Sequence, residues 1–197
     1  MSQSGGDTDM RDLSLHVLDL VQNSLRAGAT FVDVLIEAIP RQDQLLLQIG
    51  DNGSGMPPEL LSQVTDPFVT TRTTRPVGLG LALLRELCEQ TGGQLELESE
   101  EGTGTRLSAW LGLSHIDRLP VGSMSETFAA LLMSDPLIDY RLILRANDRS
   151  FELDTRDIRR HLEDVPLDHP DVQTWITTTI AEQQVIVFGG VLHEIIS

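Results

Sequence analysis

The stretch DPFVTTRTTRPVGLGLALL, Asp66 to Leu84, decides how this chain is read. Its first half is basic and rich in hydroxyls, with little to bury. After Gly78-Leu79-Gly80 the apolar residues recur at helical spacing, through Leu81, Leu84, Leu87 and Cys88 to a stop at Gly92-Gly93. The first-turn amides of a helix have no partner inside the helix, and the helix dipole favours negative charge there. Two glycines at such a start therefore offer an anion site, with phosphate the expected anion. The stretch matches neither common phosphate loop: no strand runs tightly into a GxGxxG turn, and GxxxxGK[ST] is absent. By itself a GLG before a helix reads equally well as a plain turn and helix start.

The segments upstream and downstream give it company. Asp12 or Ser14 can cap a helix running to about Ala27 and ending at Gly28, and on it His16, Asp19 and Asn23 share one face. Residues 31–39 alternate apolar and polar, as a half-buried strand does; 40–44 make a turn and 45–49 a second strand that delivers Asp51. Asp51-Asn-Gly-Ser-Gly55 alone would suit an Asn-Gly hairpin. A tight hairpin is followed at once by a strand, however, and here Pro57-Pro58-Glu59-Leu-Leu starts a helix. Leu95 and Leu97 open another strand, Glu101 to Thr105 turns, and Leu107, Ala109 and Leu111 return antiparallel.

The order of these pieces is a helix with Asn23, a strand ending in DxGxG, DPF followed by TTR, GLGLAL, and GTGT at 102–105. It resembles the ATP-binding domain shared by sensor histidine kinases, gyrase-type and MutL-type ATPases, Hsp90 and anti-sigma-factor kinases, over residues 10–112. The resemblance implies an α+β fold, a two-layer α/β sandwich with a mixed, mostly antiparallel sheet of the Bergerat type, and ATP and Mg2+ as ligands. It implies that the Asn23 amide oxygen completes the coordination of Mg2+, and that Asp51 accepts a hydrogen bond from the exocyclic amine of adenine. Gly53 and Gly55 then leave room for base and sugar, and Thr105 lies near adenine. Thr70, Thr71 and Arg72 form a compact lid, and Gly78, Leu79, Gly80 and Leu81 present amides to phosphate; Phe68 is a core anchor or a nucleotide contact.

Asp19 matches the acidic position that orients or deprotonates water in the ATPase branches, where many relatives carry glutamate. One methylene less draws the carboxylate back about 1 Å, and a misplacement of that size can cost about a hundredfold in rate. General base and structural or metal-shell carboxylate are both open for Asp19. His16 is expected to cap or pack rather than to accept phosphate.

The composition narrows the setting. A net charge of −16, from 14 basic and 30 acidic residues, repels nucleic-acid backbones, so a polyanionic ligand needs a locally prepared pocket. One cysteine, Cys88, excludes an internal disulfide and is expected to be buried. No apolar run is long enough to cross a membrane and the N-terminus lacks a signal core, so a cytoplasmic location is expected. Residues 1–9 are expected to be disordered.

From 113 to 197 the resemblance fades, and a linker with a small α/β region of unknown role is expected. Its pieces are a short helix over 126–133, a hairpin of 138–146 with 150–153, a basic helix capped by Thr155, and a helix over 171–184. The final VIVFGGVLHEII reads as a buried strand or a partner surface.

Sensor kinases carry their phosphoacceptor histidine on a helical hairpin before the ATP domain, and about a dozen residues precede the first helix here. Autophosphorylation on histidine is therefore not expected. The expected activity is that of a stand-alone regulator or kinase working on a protein partner; the alternatives are a nucleotide-gated binding switch without turnover and an assembly or maturation ATPase. The sequence leaves the oligomeric state open.

Overall fold

The computed structural model describes residues 10–65, 79–162 and 165–192. The expected disordered tail and the lid residues Phe68, Thr70, Thr71, Arg72 and Gly78 lie outside these residues. In chain order the elements are α1 (Leu13–Arg26), β1 (Phe31–Ile39), a 3-10 turn at Pro40–Gln42, β2 (Gln44–Asp51), α2 (Pro58–Thr65) and α3 (Leu79–Gln90). They continue as β3 (Gln94–Glu100), β4 (Gly104–Gly112), α4 (Met124–Ser134), β5 (Asp139–Ala146), β6 (Arg149–Asp154), α5 (Thr155–Leu162) and α6 (Pro170–Phe188).

Local chemistry sets the first elements. Asp12 accepts from the amide of Leu15 and so holds one of the unpaired donors at the start of α1. The alternation along β1 buries Val32, Val34, Ile36 and Ala38 and leaves the residues between them half-buried. Leu45, Leu47 and Ile49 of β2 do the same, and both sets join α1, α3, α4 and α6 in one core. Helices cover that face of the sheet. On the other face Arg141 Nε donates to Asp33 at 2.6 Å, and Arg156 stacks 4.0 Å above the Phe31 ring.

The sheet has six strands in the order β3-β4-β2-β1-β5-β6. Four of the pairings are antiparallel, and β1 with β5 is parallel. This is the mixed, mostly antiparallel α+β sandwich that the sequence implied. The hairpin expected over 138–153 is present, but it does not stand apart: β5 pairs with β1 from Phe31↔Asp139 to Ala38↔Ala146 and extends the same sheet. α4 seals the join, with Phe128 packing edge-on against Tyr140 of β5, ring centres 6.1 Å apart. Both side chains are fully buried, and Phe128 contributes about 1.5–3 kcal/mol of apolar transfer.

Two local expectations are corrected. The Thr155 hydroxyl does not cap α5; it accepts from the Tyr140 amide at 2.8 Å and donates to Asp139, tying α5 to β5, while Asp154 takes the Arg156 amide. Of the two readings of the final apolar run, the strand is overturned at Val185 to Phe188, which form the last turn of α6; its inward stripe continues through Val187 and Phe188, while Val185 and Ile186 are exposed. Their β-branched composition yields to the helix already propagating from Pro170.

Candidate functional site

The site is assembled where α1 crosses the end of β2. Helical spacing puts Leu20, Asn23 and Ser24 along a cavity of about 500 Å³. β2 contributes Ile49 and Asp51, and Met56, Leu81, Leu97 and Leu107 close its walls. The two Asp51 carboxylate oxygens have separate partners. Oδ2 accepts from Ser24 Oγ at 2.6 Å, and Oδ1 accepts from the Gly53 amide at 2.8 Å. Each carboxylate oxygen retains acceptor capacity, so a mainly apolar cavity presents an oriented acceptor. Such a cavity suits a heteroaromatic ring carrying an amino group.

The loop after Asp51 is fastened from three sides. The Asn52 side chain accepts from the amides of Thr30 and Phe31, Ser54 N donates to Ala27, and Met56 N donates to Ser99 Oγ. Gly55 has φ +61, and a Cβ there would run into the Glu100 carbonyl. The turn between β3 and β4 therefore requires this glycine independently of any ligand. Thr105 stands opposite Asp51 in the β2–β4 register, its hydroxyl 2.9 Å from Ser99 Oγ, and lines the cavity.

The other end of the α1 face meets α3. A Cβ at Gly80 would collide with Asp19 Oδ2, so the second glycine of GLG lets the two helices close together. That Asp19 oxygen is buried and has no hydrogen-bond partner among the described residues. Beside it His16 is 2% exposed; burial pushes its pKa down, opposed by a backbone hydrogen bond to Gly80 and by the charges of Asp19 and Asp12. His16 is thus a packing histidine at this contact. Asn23 Oδ1 accepts from Arg26 Nη1 at 2.7 Å, an exposed bond at the cavity mouth.

The structure thus gathers Asn23, Asp51, Leu81 and Thr105 around one cavity, with Asp19 and Gly80 meeting at the adjoining helix contact and Gly53 bonded to Asp51. Leu79 opens α3. Ser24 escaped the sequence reading. Its signal was available: a hydroxyl four residues after Leu20 on the buried stripe of α1 needs a buried partner, and Asp51 is that partner.

Residues 8–115, more than half of the chain, match the family described as histidine kinase-, DNA gyrase B-, and HSP90-like ATPase. The chain belongs to that family, whose domains bind ATP and Mg2+. It is similar to the sensor protein kinase FleS of Pseudomonas aeruginosa, 38% identical over 110 residues, 56% of this chain and 27% of that protein. The sensor histidine kinase ZraS of Salmonella typhi is 31% identical over 96 residues, 48% of this chain and 20% of ZraS. Among solved structures it is similar to the histidine kinase domain of the E. coli osmosensor EnvZ, with 32% identity and a TM-score of 0.38 over 51% of this chain and 64% of that one. The chain spans about a quarter or less of these two sensor kinases. Among the described residues no helix is long and apolar enough to cross a membrane.

Proposed function

We propose that the chain binds Mg-ATP in the cavity beneath Asp51 and passes its nucleotide state to a protein partner. The observation that carries this reading is the Asp51 carboxylate, oriented by Ser24 and Gly53 in the wall of a mainly apolar cavity. An adenine amine donates to that acceptor, whereas the keto oxygen of guanine would face it as a second acceptor. Leu20, Ile49, Met56 and Leu107 exclude water from the ring faces.

The residues present fit the metal as well as the base. Asn23 offers a neutral amide oxygen at the cavity mouth, suited to a hard cation in a site that already holds a triphosphate. Its present partner, Arg26, is bonded in solvent, so exchanging that bond costs little. When bound, Mg2+ offsets phosphate charge. Thr70, Thr71, Arg72 and the backbone from Gly78 to Leu81 complete the reading as the phosphate end.

Whether the bound nucleotide is also turned over depends on Asp19. A general base must stand within hydrogen-bond reach of the proton it takes, and Asp19 Oδ2 is packed on Gly80. This geometry favours slow turnover and supports the second reading, a nucleotide-gated contact, beside that of a kinase or ATPase acting on the partner. Titration calorimetry tests the binding: Mg-ATP is expected to bind at least about tenfold more tightly than Mg-GTP, the scale of one lost hydrogen bond to a charged group. Equal affinities reject the assignment of Asp51. Transfer of label from γ-labelled ATP to a protein in a cell extract, lost in Asp19→Asn, would establish the kinase; binding without transfer or phosphate release would establish the gate.

A further inference from the structure

A second cavity lies at the β6 edge of the sheet, outside the span that matches the ATPase family. It is a groove of about 720 Å³ between the outer edge of β6, α5 and α6. Phe151 and Leu153 line it from one face of β6 and Glu152 and Asp154 from the other, so the groove runs along the strand's edge. β6 ends the sheet, and among the described residues no strand pairs with that edge. The floor is apolar, with Ile158 and Val172, and Trp175 stands over it 55% exposed.

The charge of the rim has one sign. Among the described residues its carboxylates are Glu152, Asp154, Asp157 and Asp171, no arginine or lysine lines the groove, and His161 is the one basic group in it. Arg156 and Arg160 answer Asp154 and Asp157, and Arg159 is turned away to Asp139. Glu152 is held only by a long ion pair, 4.0 Å from Arg141, and Asp171 is 96% exposed and 3.8 Å from His169, so both can turn to a visitor at little cost.

We propose that this groove docks an extended, cationic segment of a partner protein, which adds as a strand to the free edge of β6. Alternate apolar side chains of the segment pack on Trp175, Ile158 and Val172, and the lysines or arginines between them meet Glu152 and Asp171. Backbone pairing gives a sheet edge affinity for any extended chain, and the apolar floor and acidic rim select this one. The site is separate from the nucleotide cavity and does not depend on what that cavity binds.

Selection of a displayed random dodecapeptide library on the full chain tests the proposal, with affinities read from tryptophan fluorescence or calorimetry. Enriched peptides are expected to be cationic with alternating apolar residues. Their binding should weaken at least about tenfold in Trp175→Ala and in the double variant Glu152→Lys, Asp171→Lys, the scale of loss at an anchor residue. Ile116→Ala, an exposed apolar residue outside the groove, should change nothing. N-methylation of alternate peptide amides should also weaken binding, because strand addition needs those donors. Enrichment of acidic peptides or of helical spacing, or absence of any peptide whose binding depends on Trp175, overturns the proposal. A concentration-dependent dimer that Trp175→Ala abolishes overturns it in favour of a second copy of the chain. Mg-ATP affinity measured on the same variants should be unchanged, so failure here is distinguishable from failure at the nucleotide site.

Discussion

The cavity beneath Asp51 and the groove beside β6 are both walled by apolar side chains, yet they hold their polar groups in opposite ways. In the first, both carboxylate oxygens of Asp51 are fixed by the chain's own Ser24 hydroxyl and Gly53 amide in the cavity wall. In the second, Glu152 and Asp171 stand at the rim largely in solvent, and among the described residues no strand pairs with the edge that runs beside the groove. A small rigid ligand is recognised by a few acceptors whose positions were settled in advance; a chain segment is recognised by a line of backbone groups and a field of one sign. The difference matches where the two lie, one within residues 8–115 and the other beyond them.

The largest effect is expected where the two regions join. Phe128→Ala removes a fully buried ring that packs on Tyr140 and should cost about 3–5 kcal/mol. Trp110 in β4 and Trp175 in α6 report on the two regions separately. Because β5 pairs with β1 along its whole length, their urea transitions should coincide and shift together. Two separated transitions would mean that the regions fold as independent units.

Asp51→Asn should weaken ATP binding by about 1–3 kcal/mol in calorimetry, and leave peptides selected on the groove bound as before. A joint loss would show that the two cavities are coupled.

A smaller, pH-dependent effect belongs to His16. Its folded pKa is depressed by burial, so below about pH 6.5 the unfolded chain takes up the proton first. The stability is complete above that value and is lost as pH falls toward the folded pKa. Urea midpoints on either side of about pH 6.5 should show this loss in the wild type and its reduction in His16→Gln. An unchanged pH dependence in the variant would remove His16 as its source.

The smallest effect is expected from Arg149→Ala. Arg149 Nη1 donates to the carbonyls of Ile186 and Gly189, and its loss should cost about 0.5–1 kcal/mol as a charged cap at a helix end. A chemical denaturation midpoint resolves a change of that size, and no shift would show that water replaces the cap.

By itself the sequence determined whatever depends on near neighbours. A cap at Asp12 or Ser14, the two-residue alternation of β1, the end of β2 at Asp51 and the helix that opens at GLG are all written within a few positions, because caps, pleats and helical faces are local geometry. The family order of Asn23, Asp51 and Thr105 followed from such pieces taken in sequence. Only the tertiary structure decided what distant segments do to each other. Asp33 and Arg141, 108 positions apart, become partners only when β5 lies parallel to β1, and no pattern within either strand announces that pairing. Ser24 is an ordinary helix residue until Asp51 arrives 27 positions later to accept its hydroxyl. Thr155 looked like a cap and became a tie to β5, and Val185 to Phe188 looked like a strand and finished α6. At Ser24 and Thr155 a partner far along the chain decided the role, and at Val185 to Phe188 the helix propagating from Pro170 outweighed a local preference worth less than about 1 kcal/mol per residue.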